Sequence, residues 1–310
     1  MERSGLQESW SLVLAGGDGT RLQDLTRQLT GLPIPKQYCR IVGKRTLLES
    51  TIARSQLFAP LARTMVVVNR NHLAVGHAQL RAVPSENILV QPCNRETGPG
   101  LLYALLLLSD RVRDAIVAVF PSDHYVDHDQ VFIAHVNRAV GVVAVHPDKL
   151  AVLGIRPSHP EPGYGYITPA RPVRSPAIAG LAFRVAAFRE KPSADQARSL
   201  LATGSLWNSF VMVFQLSRML ELLRRTAPDE FTCMRALRRD PAQLAAVYPD
   251  LAPWNFSSHF LARIPQHLIV LPVDDVHWSD WGTREAIETT LRALNQVPPW
   301  QQARWPRPAA

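Results

Sequence analysis

Four short, almost uninterrupted apolar runs in the first 120 residues constrain this chain more than any other feature. They are residues 11–15 (SLVLA), 64–69 (TMVVVN), 87–91 (NILVQ) and 115–120 (AIVAVF). Each has the length of a strand and lacks the alternation of a strand with one wet face, so each reads as buried on both sides. Helical stretches at residues 46–57, 72–81 and 98–109 lie between them. Strands that alternate with helices imply an α/β chain whose mostly parallel sheet is covered on both faces. In such sheets ligands bind beyond the carboxyl ends of the strands. A glycine-rich loop after the first run and a Pro-Ser-Asp-His segment after the fourth should therefore share one rim.

The pattern changes near residue 150. Residues 151–155, 164–168, 183–188 and 206–214 read as strands separated by Pro/Gly-rich loops, which suggests an antiparallel extension of the sheet. Ser193 with Gln196 makes a capping box that opens a helix ending near Gly204. More helix is expected over residues 217–237. A last strand, residues 268–273, leads through a Trp-rich loop to a helix at 284–294. The expected organisation is one domain over residues 1–295, with halves at about 11–150 and 151–295, and a Pro-rich, poorly ordered tail at 296–310.

Apolar residues make up 46% and charged residues 19% of the chain, so a packed core is expected. The run at 101–108 is too short to span a bilayer and reads as a buried helix. The polar N-terminus lacks a signal-peptide pattern, so a cytoplasmic location is expected. Cys39, Cys93 and Cys233 are isolated and suggest neither a disulfide framework nor a zinc site. The net charge of +8 is scattered, with no dense basic tract interleaved with aromatics, which argues against nucleic acid and leaves small anionic substrates. Of 34 lysines and arginines only four are lysines: Lys36, Lys44, Lys149 and Lys191. A lysine in so arginine-rich a chain suggests a site that needs a compact ammonium. No Ser/His/Asp or Cys/His set suggests a covalent nucleophile.

Gly16, Gly17 and Gly19 follow the first strand, and Thr20 and Arg21 follow them. Backbone N–H groups of such a loop can approach phosphate oxygens, and a forked guanidinium suits a triphosphate. The loop is neither a Walker A motif nor a clean GxGxxG. Gly-Gly-x-Gly-Thr-Arg-Leu followed by Pro35-Lys36-Gln37 resembles the signature of the sugar-1-phosphate nucleotidyltransferases. Within them it is most similar to the mannose-1-phosphate guanylyltransferases. Further pieces follow in that family's order. They are Gln91-Pro92-Cys93-Asn94-Arg95-Glu96-Thr97-Gly98-Pro99, Pro121-Ser122-Asp123-His124, Gly165-Tyr166-Ile167, Phe188-Arg189-Glu190-Lys191-Pro192, Trp207-Asn208-Ser209 and Trp278-Ser279-Asp280-Trp281-Gly282.

The resemblance implies the nucleotidyltransferase fold, a Rossmann-like, mixed, mostly parallel sheet with an antiparallel sugar-binding extension. It also implies an NTP substrate (GTP by the strongest likeness), a hexose 1-phosphate (mannose 1-phosphate), Mg²⁺ and released pyrophosphate. Gly16, Gly17, Gly19, Thr20 and Arg21 would bind the triphosphate, with Gln91, Asn94 and Gly98 beside the base and ribose. Arg21, Lys36 and Asp123 would be catalytic, and Asp123 and Asp280 would hold the metal. Gly165, Glu190, Lys191 and Asn208 would bind the sugar phosphate. The sequence leaves oligomeric state open, a homodimer among the options.

This chain departs from the family in several places. Phe210 stands where glycine commonly follows Trp-Asn-Ser, which should narrow the sugar pocket. Gly98-Pro99-Gly100 replaces Ala-Pro-Ala. Trp254-Asn255-Phe256-Ser257-Ser258 occupies the place of a Ser-Ile-Asp element. A left-handed β-helix or cupin-type domain is not expected within this length. Asp127 and Asp129 form a DxD, which on a glycosyltransferase would bind a metal. Before an apolar stretch the same two acids serve a helix N-terminus. A non-catalytic nucleotide-sugar sensor is the third reading, against which Arg21, Asp123 and Asp280 stand.

Overall fold

The computed structural model describes residues 8–173 and 182–301. β1 (Ser9–Ala15), β2 (Thr64–Asn69), β3 (Ile88–Gln91) and β4 (Ile116–Pro121) form a parallel block in the order β3-β2-β1-β4. Their side chains divide by parity between two cores. Trp10, Leu12, Met65, Val67, Val117 and Val119 face one, and Val13, Ala15, Val66, Val68, Ala118 and Phe120 the other. Burial on both faces is why these strands show no polar alternation.

The remaining strands are β5 (Tyr125–Val126), β6 (Leu150–Ile155), β7 (Gly165–Pro172), β8 (Phe183–Glu190), β9 (Leu206–Gln215), β10 (Leu268–Val273) and β11 (Trp278–Ser279). The full sheet has nine strands in the order β3-β2-β1-β4-β9-β6-β10-β8-β7. β9 also pairs with β7, and β5 and β11 form a small separate ribbon. Two features correct the expected antiparallel extension. β6 and β10 are parallel to each other. β9, ten residues long, lies between β4 and β6 and pairs antiparallel with both. The chain thus returns to the sheet centre after leaving it, and the two halves share one continuous sheet.

The helix Thr97–Ser109 is buried almost all round, as the run at 101–108 implied. Both bonds of the Ser193–Gln196 capping box are present, and that helix ends before Gly204 at φ 74°. The helix expected over 217–237 is two, Leu216–Thr226 and Pro228–Leu237. Pro228 lacks the N–H needed to continue the first helix and sets Ala227 outside helical geometry at φ −137° and ψ 63°. Residues 72–81 form not one helix but short turns, among them Leu73–Gly76 and His77–Leu80. The tail is placed as far as Gln301. Pro299 is buried, Trp300 packs on a third core cluster with Trp281 and Tyr125, and the Arg284 guanidinium lies 5.1 Å from the Trp300 ring centre. The rest of the tail and the N-terminal segment lie outside the described residues. Among the described residues no helix is long and apolar enough to cross a membrane.

Asp110, at the end of helix Thr97–Ser109, clamps this face of the protein. It accepts from Arg239 at 2.7 Å and 2.9 Å and from Arg238 at 2.8 Å and 3.0 Å. The hydrogen bonds from Arg239, then Arg238, hold its carboxyl far below the ordinary aspartate value of 3.8. A depressed folded-state pKa stabilises the fold above the unfolded value, and that contribution disappears as pH falls towards the folded one. The expected result is that Asp110→Asn is less stable than wild type at pH 6, and that the difference shrinks below about pH 4. Urea denaturation of both proteins at pH 6 and pH 3 measures it; a difference that does not depend on pH would refute the clamp.

Candidate active site

A cavity of about 320 Å³ opens along the rim beyond the carboxyl ends of β1 and β4. Its wall includes Gly16, Gly17, Gly19, Arg21, Gln91, Asn94, Asp123, Gly165, Glu190, Lys191, Asn208 and Asp280. The glycine loop and the Pro121–His124 segment therefore share one rim, as the rim argument required, and residues of the second half of the chain meet them there. Three of the expected residues are placed differently. Thr20 is exposed and opens a short turn after the glycine loop. Gly98 lies under the Trp254 ring, which a β-carbon there would overlap. Lys36 is buried behind the wall and reaches the site through its ammonium.

The glycine loop is fixed by side chains from three segments. Gln37 donates to the Gly17 carbonyl at 2.8 Å, and Tyr38 to that of Ala15 at 3.0 Å. Asp18 accepts from Asn69 at 3.1 Å and from Asn94 at 3.0 Å. The Gln91 amide donates to the Gly16 carbonyl at 3.3 Å and accepts from Tyr248 at 3.2 Å. Gln91 and Asn94 thus position the loop as well as lining the cavity. The sequence offered no signal for Asp18, the variable position of its motif, or for Tyr248, which is distant in the chain.

Lys36 is the electrostatic centre. Its ammonium donates to the carbonyl of Asp280 and, at 3.1 Å, to that of Trp281, and it lies 3.3 Å from Asp123 Oδ2. Partial burial pushes the Asp123 carboxyl up, but the Lys36 ammonium and His124 outweigh it and hold the group below its usual value. His124 stands edge-on to Trp278, and burial lowers its pKa against the opposing pull of Asp123. Asp280 Oδ1 accepts from the Tyr164 hydroxyl at 2.8 Å and the Gly282 N–H at 2.7 Å, while its Oδ2 lies 3.9 Å from the Arg21 guanidinium. Arg21 is 63% exposed, a loose pairing that leaves it free to meet an anion. Tyr164 was not expected here; only tertiary packing sets it against Asp280.

Across the cavity the polar groups suit a sugar. Burial raises the Glu190 pKa, opposed by Lys191 and by a hydrogen bond with Ser257. Asn208 donates to Ser257 Oγ at 3.5 Å. Gly165 pairs with Glu190 in the β7–β8 ladder, and a β-carbon there would stand 2.5 Å from the Glu190 carboxylate, so glycine lets that carboxylate keep its present position. β9 bulges at this point. Gly154 opposes Asn208 while Val152 opposes Met212, and Ser209 seals the irregularity by donating to the Leu153 carbonyl at 2.7 Å. Such a bulge re-aims side chains at a site. Backbone strain also gathers here. Glu96, Lys191 and Phe210 line the cavity with φ of 66°, 45° and 60°, and Trp281 behind it has 46°.

The DxD acids lie elsewhere. Asp129 opens the helix Asp129–Val145 and pairs with buried Arg54 at 2.6 Å, and Asp127 accepts from the His277 N–H at 2.9 Å. Both line a separate cavity of about 220 Å³; Asp129 lies in the first helical turn, as expected, whereas Asp127 ties the chain to the segment at His277 instead of capping the helix.

Alginate biosynthesis protein AlgA of Pseudomonas putida is 33% identical over 280 residues, 87% of this chain and 56% of that protein. A mannose-1-phosphate guanylyltransferase of Sinorhizobium fredii is 30% identical over 285 residues, 89% of this chain and 53% of that one. The chain therefore spans a little over half the length of these relatives. The crystal structure of a mannose-1-phosphate geranyltransferase from Thermus thermophilus superposes with a TM-score of 0.78 at 29% identity, covering 94% of this chain and 80% of that one. Residues 10–297 match the nucleotidyl transferase family, and the chain belongs to it.

Proposed function

We propose that this chain transfers a nucleotidyl group from an NTP to a hexose 1-phosphate and releases pyrophosphate, with GTP and mannose 1-phosphate as the leading pair. The observation that carries this reading is the meeting, on one cavity, of the glycine loop with Arg21, the Lys36 ammonium between Asp123 and Asp280, and Glu190, Lys191 and Asn208 opposite. The specific pair rests on relatives such as the Sinorhizobium fredii guanylyltransferase.

Two anions must approach each other in this reaction. A sugar phosphate oxygen forms a bond to the α-phosphorus, and the bond from that phosphorus to the bridging oxygen breaks, so the electron pair leaves on pyrophosphate. No proton need move, so no general base is required. Catalysis then rests on positioning and on neutralising charge. Lys36 meets the α-phosphate, Arg21 the departing pyrophosphate, and Lys191 the phosphate of the sugar. Glu190 and Asn208 hold sugar hydroxyls.

The donor set fits Mg²⁺. Asp280 Oδ1 is engaged by Tyr164 and Gly282, which orients Oδ2 to the cavity, and Asp123 is half-exposed opposite. Asp123 and Asp280 would offer the ion two hard carboxylate ligands, an oxygen donor set of the kind Mg²⁺ takes alongside substrate phosphates. Bound there by Asp123 and Asp280, Mg²⁺ supplies charge neutralisation at the phosphate oxygens. The test is pyrophosphate release across four NTPs and a panel of hexose 1-phosphates. Release with at least one pair, abolished by chelation and restored by Mg²⁺, is expected; no release with any pair rejects the proposal.

A further inference from the structure

Phe210 presents a contradiction that its surroundings resolve. Its φ of 60° lies in the left-handed region, where a side chain costs about 1 kcal/mol or more and glycine nothing. The backbone is held there by the bulge in β9 and by Asn208, whose side-chain oxygen accepts the Phe210 N–H at 3.0 Å. That bond commits the Asn208 oxygen internally and turns its amide nitrogen towards Ser257. The conformation therefore serves Asn208 and calls for glycine, yet the chain places a phenylalanine. Its ring stands edge-on to Phe256 with centres 6.0 Å apart, and Phe256 precedes the Ser257 that bonds both Asn208 and Glu190. Phe210 is half-buried and lines the cavity on this side. A strained residue whose ring fills a binding cavity points from the outlier to a function.

We propose that Phe210 is the specificity-determining residue of the sugar pocket. Resting on the function proposed above, this assigns the site to hexose 1-phosphates that carry only hydroxyl or hydrogen at the carbon facing the ring, and excludes those with an N-acyl branch there. The ring occupies volume that glycine would leave empty, and it is backed by fully buried Phe256, so it cannot retreat. It also offers no hydrogen-bond partner to an amide, whose burial would go uncompensated.

The test compares wild type, Phe210→Gly, Phe210→Ala and Phe210→Leu. Mannose 1-phosphate, glucose 1-phosphate, and N-acetylglucosamine 1-phosphate are each titrated by calorimetry and assayed for pyrophosphate release with the preferred NTP. Wild type should favour the unbranched sugars. Phe210→Gly and Phe210→Ala should each shift the branched-to-unbranched ratio of Kd and of kcat/KM by at least ~10-fold towards the branched sugar, and Phe210→Leu by less. Circular dichroism confirms that each variant is folded; glycine fits this backbone better than the native residue. Ratios that stay within error of wild type in the folded variants overturn the inference, as does a wild type that already accepts the branched sugar equally. If no NTP–sugar pair releases pyrophosphate, the function proposed above fails, and the Kd ratios alone decide the role of Phe210.

Discussion

Asp280→Asn lowers turnover by at least ~100-fold, the scale set by losing a main electrostatic stabiliser. The substitution preserves shape. An asparagine oxygen still accepts from Tyr164 and Gly282, so the loop carrying residues 278–282 keeps its anchors. What disappears is one negative charge facing Arg21 and the proposed metal position. The loss should therefore fall on kcat and on the Mg²⁺ concentration needed for half-maximal rate, with little change in melting temperature. Asp123→Asn should lower turnover to a similar degree but carries a second cost. Lys36 is 4% exposed and would keep only uncharged acceptors, the two backbone carbonyls and the new amide oxygen. Stranding a buried charge costs about 3–5 kcal/mol, reduced here to roughly 1–3 because Asp123 is half-exposed and water can approach. Pyrophosphate-release kinetics over a Mg²⁺ series, with thermal denaturation of both variants, separates the two effects. Near-normal turnover in both proteins would reject the metal assignment.

Lys36→Arg lowers kcat by a similar factor, ~100-fold or more, although the charge is unchanged. The ammonium sits in a hole made by two backbone carbonyls and one carboxylate, on the inner side of the cavity wall. The second carbonyl is presented by Trp281, whose φ of 46° turns the chain and whose ring stacks on Tyr125 with centres 5.0 Å apart. A three-donor point charge fits that hole. A planar guanidinium needs more width and cannot keep both carbonyls while turning a further donor from Asp123 to an α-phosphate. Lys36→Gln, which has no charge, should behave no better than the arginine variant. The measurement is kcat against KM for the NTP in both variants; a Lys36→Arg protein with wild-type kcat would show that charge alone matters and that the compact seat does not.

Much of this architecture was legible because burial leaves a mark on local sequence. The parallel strands were found within a residue or two, since both faces of each are covered and every position must be apolar. The capping box at Ser193 and the buried helix over residues 101–108 were legible for the same reason: each rests on contacts a few residues apart or on uniform burial. Pro228 was the missed local signal, present in the sequence and sufficient to divide one expected helix into two. The route of β9 was not legible. A strand can pair with any edge its length permits, and nothing in residues 206–215 states that β4 and β6 are the partners.

Of the candidate site, the sequence supplied the chemical groups, and the tertiary structure decided how they are used. The glycine loop, Arg21, Lys36, Asp123, Glu190, Lys191, Asn208 and Asp280 stood out because short motifs carry them in an order that resembles a known family. The scarcity of lysine made Lys36 and Lys191 more visible still. That Lys36 lies between Asp123 and the Asp280–Trp281 carbonyls, that Tyr164 orients Asp280, and that Gln91 and Asp18 hold the loop followed only from the fold. Phe210 combines the two. Its identity marked a departure from the glycine that the resemblance implied, but the left-handed backbone and the ring against Phe256 gave that departure a meaning. A side chain's chemistry is carried by its own atoms and can be read locally; its hydrogen-bond partners and free space are set by segments brought together from both ends of the chain, which only the folded sheet defines.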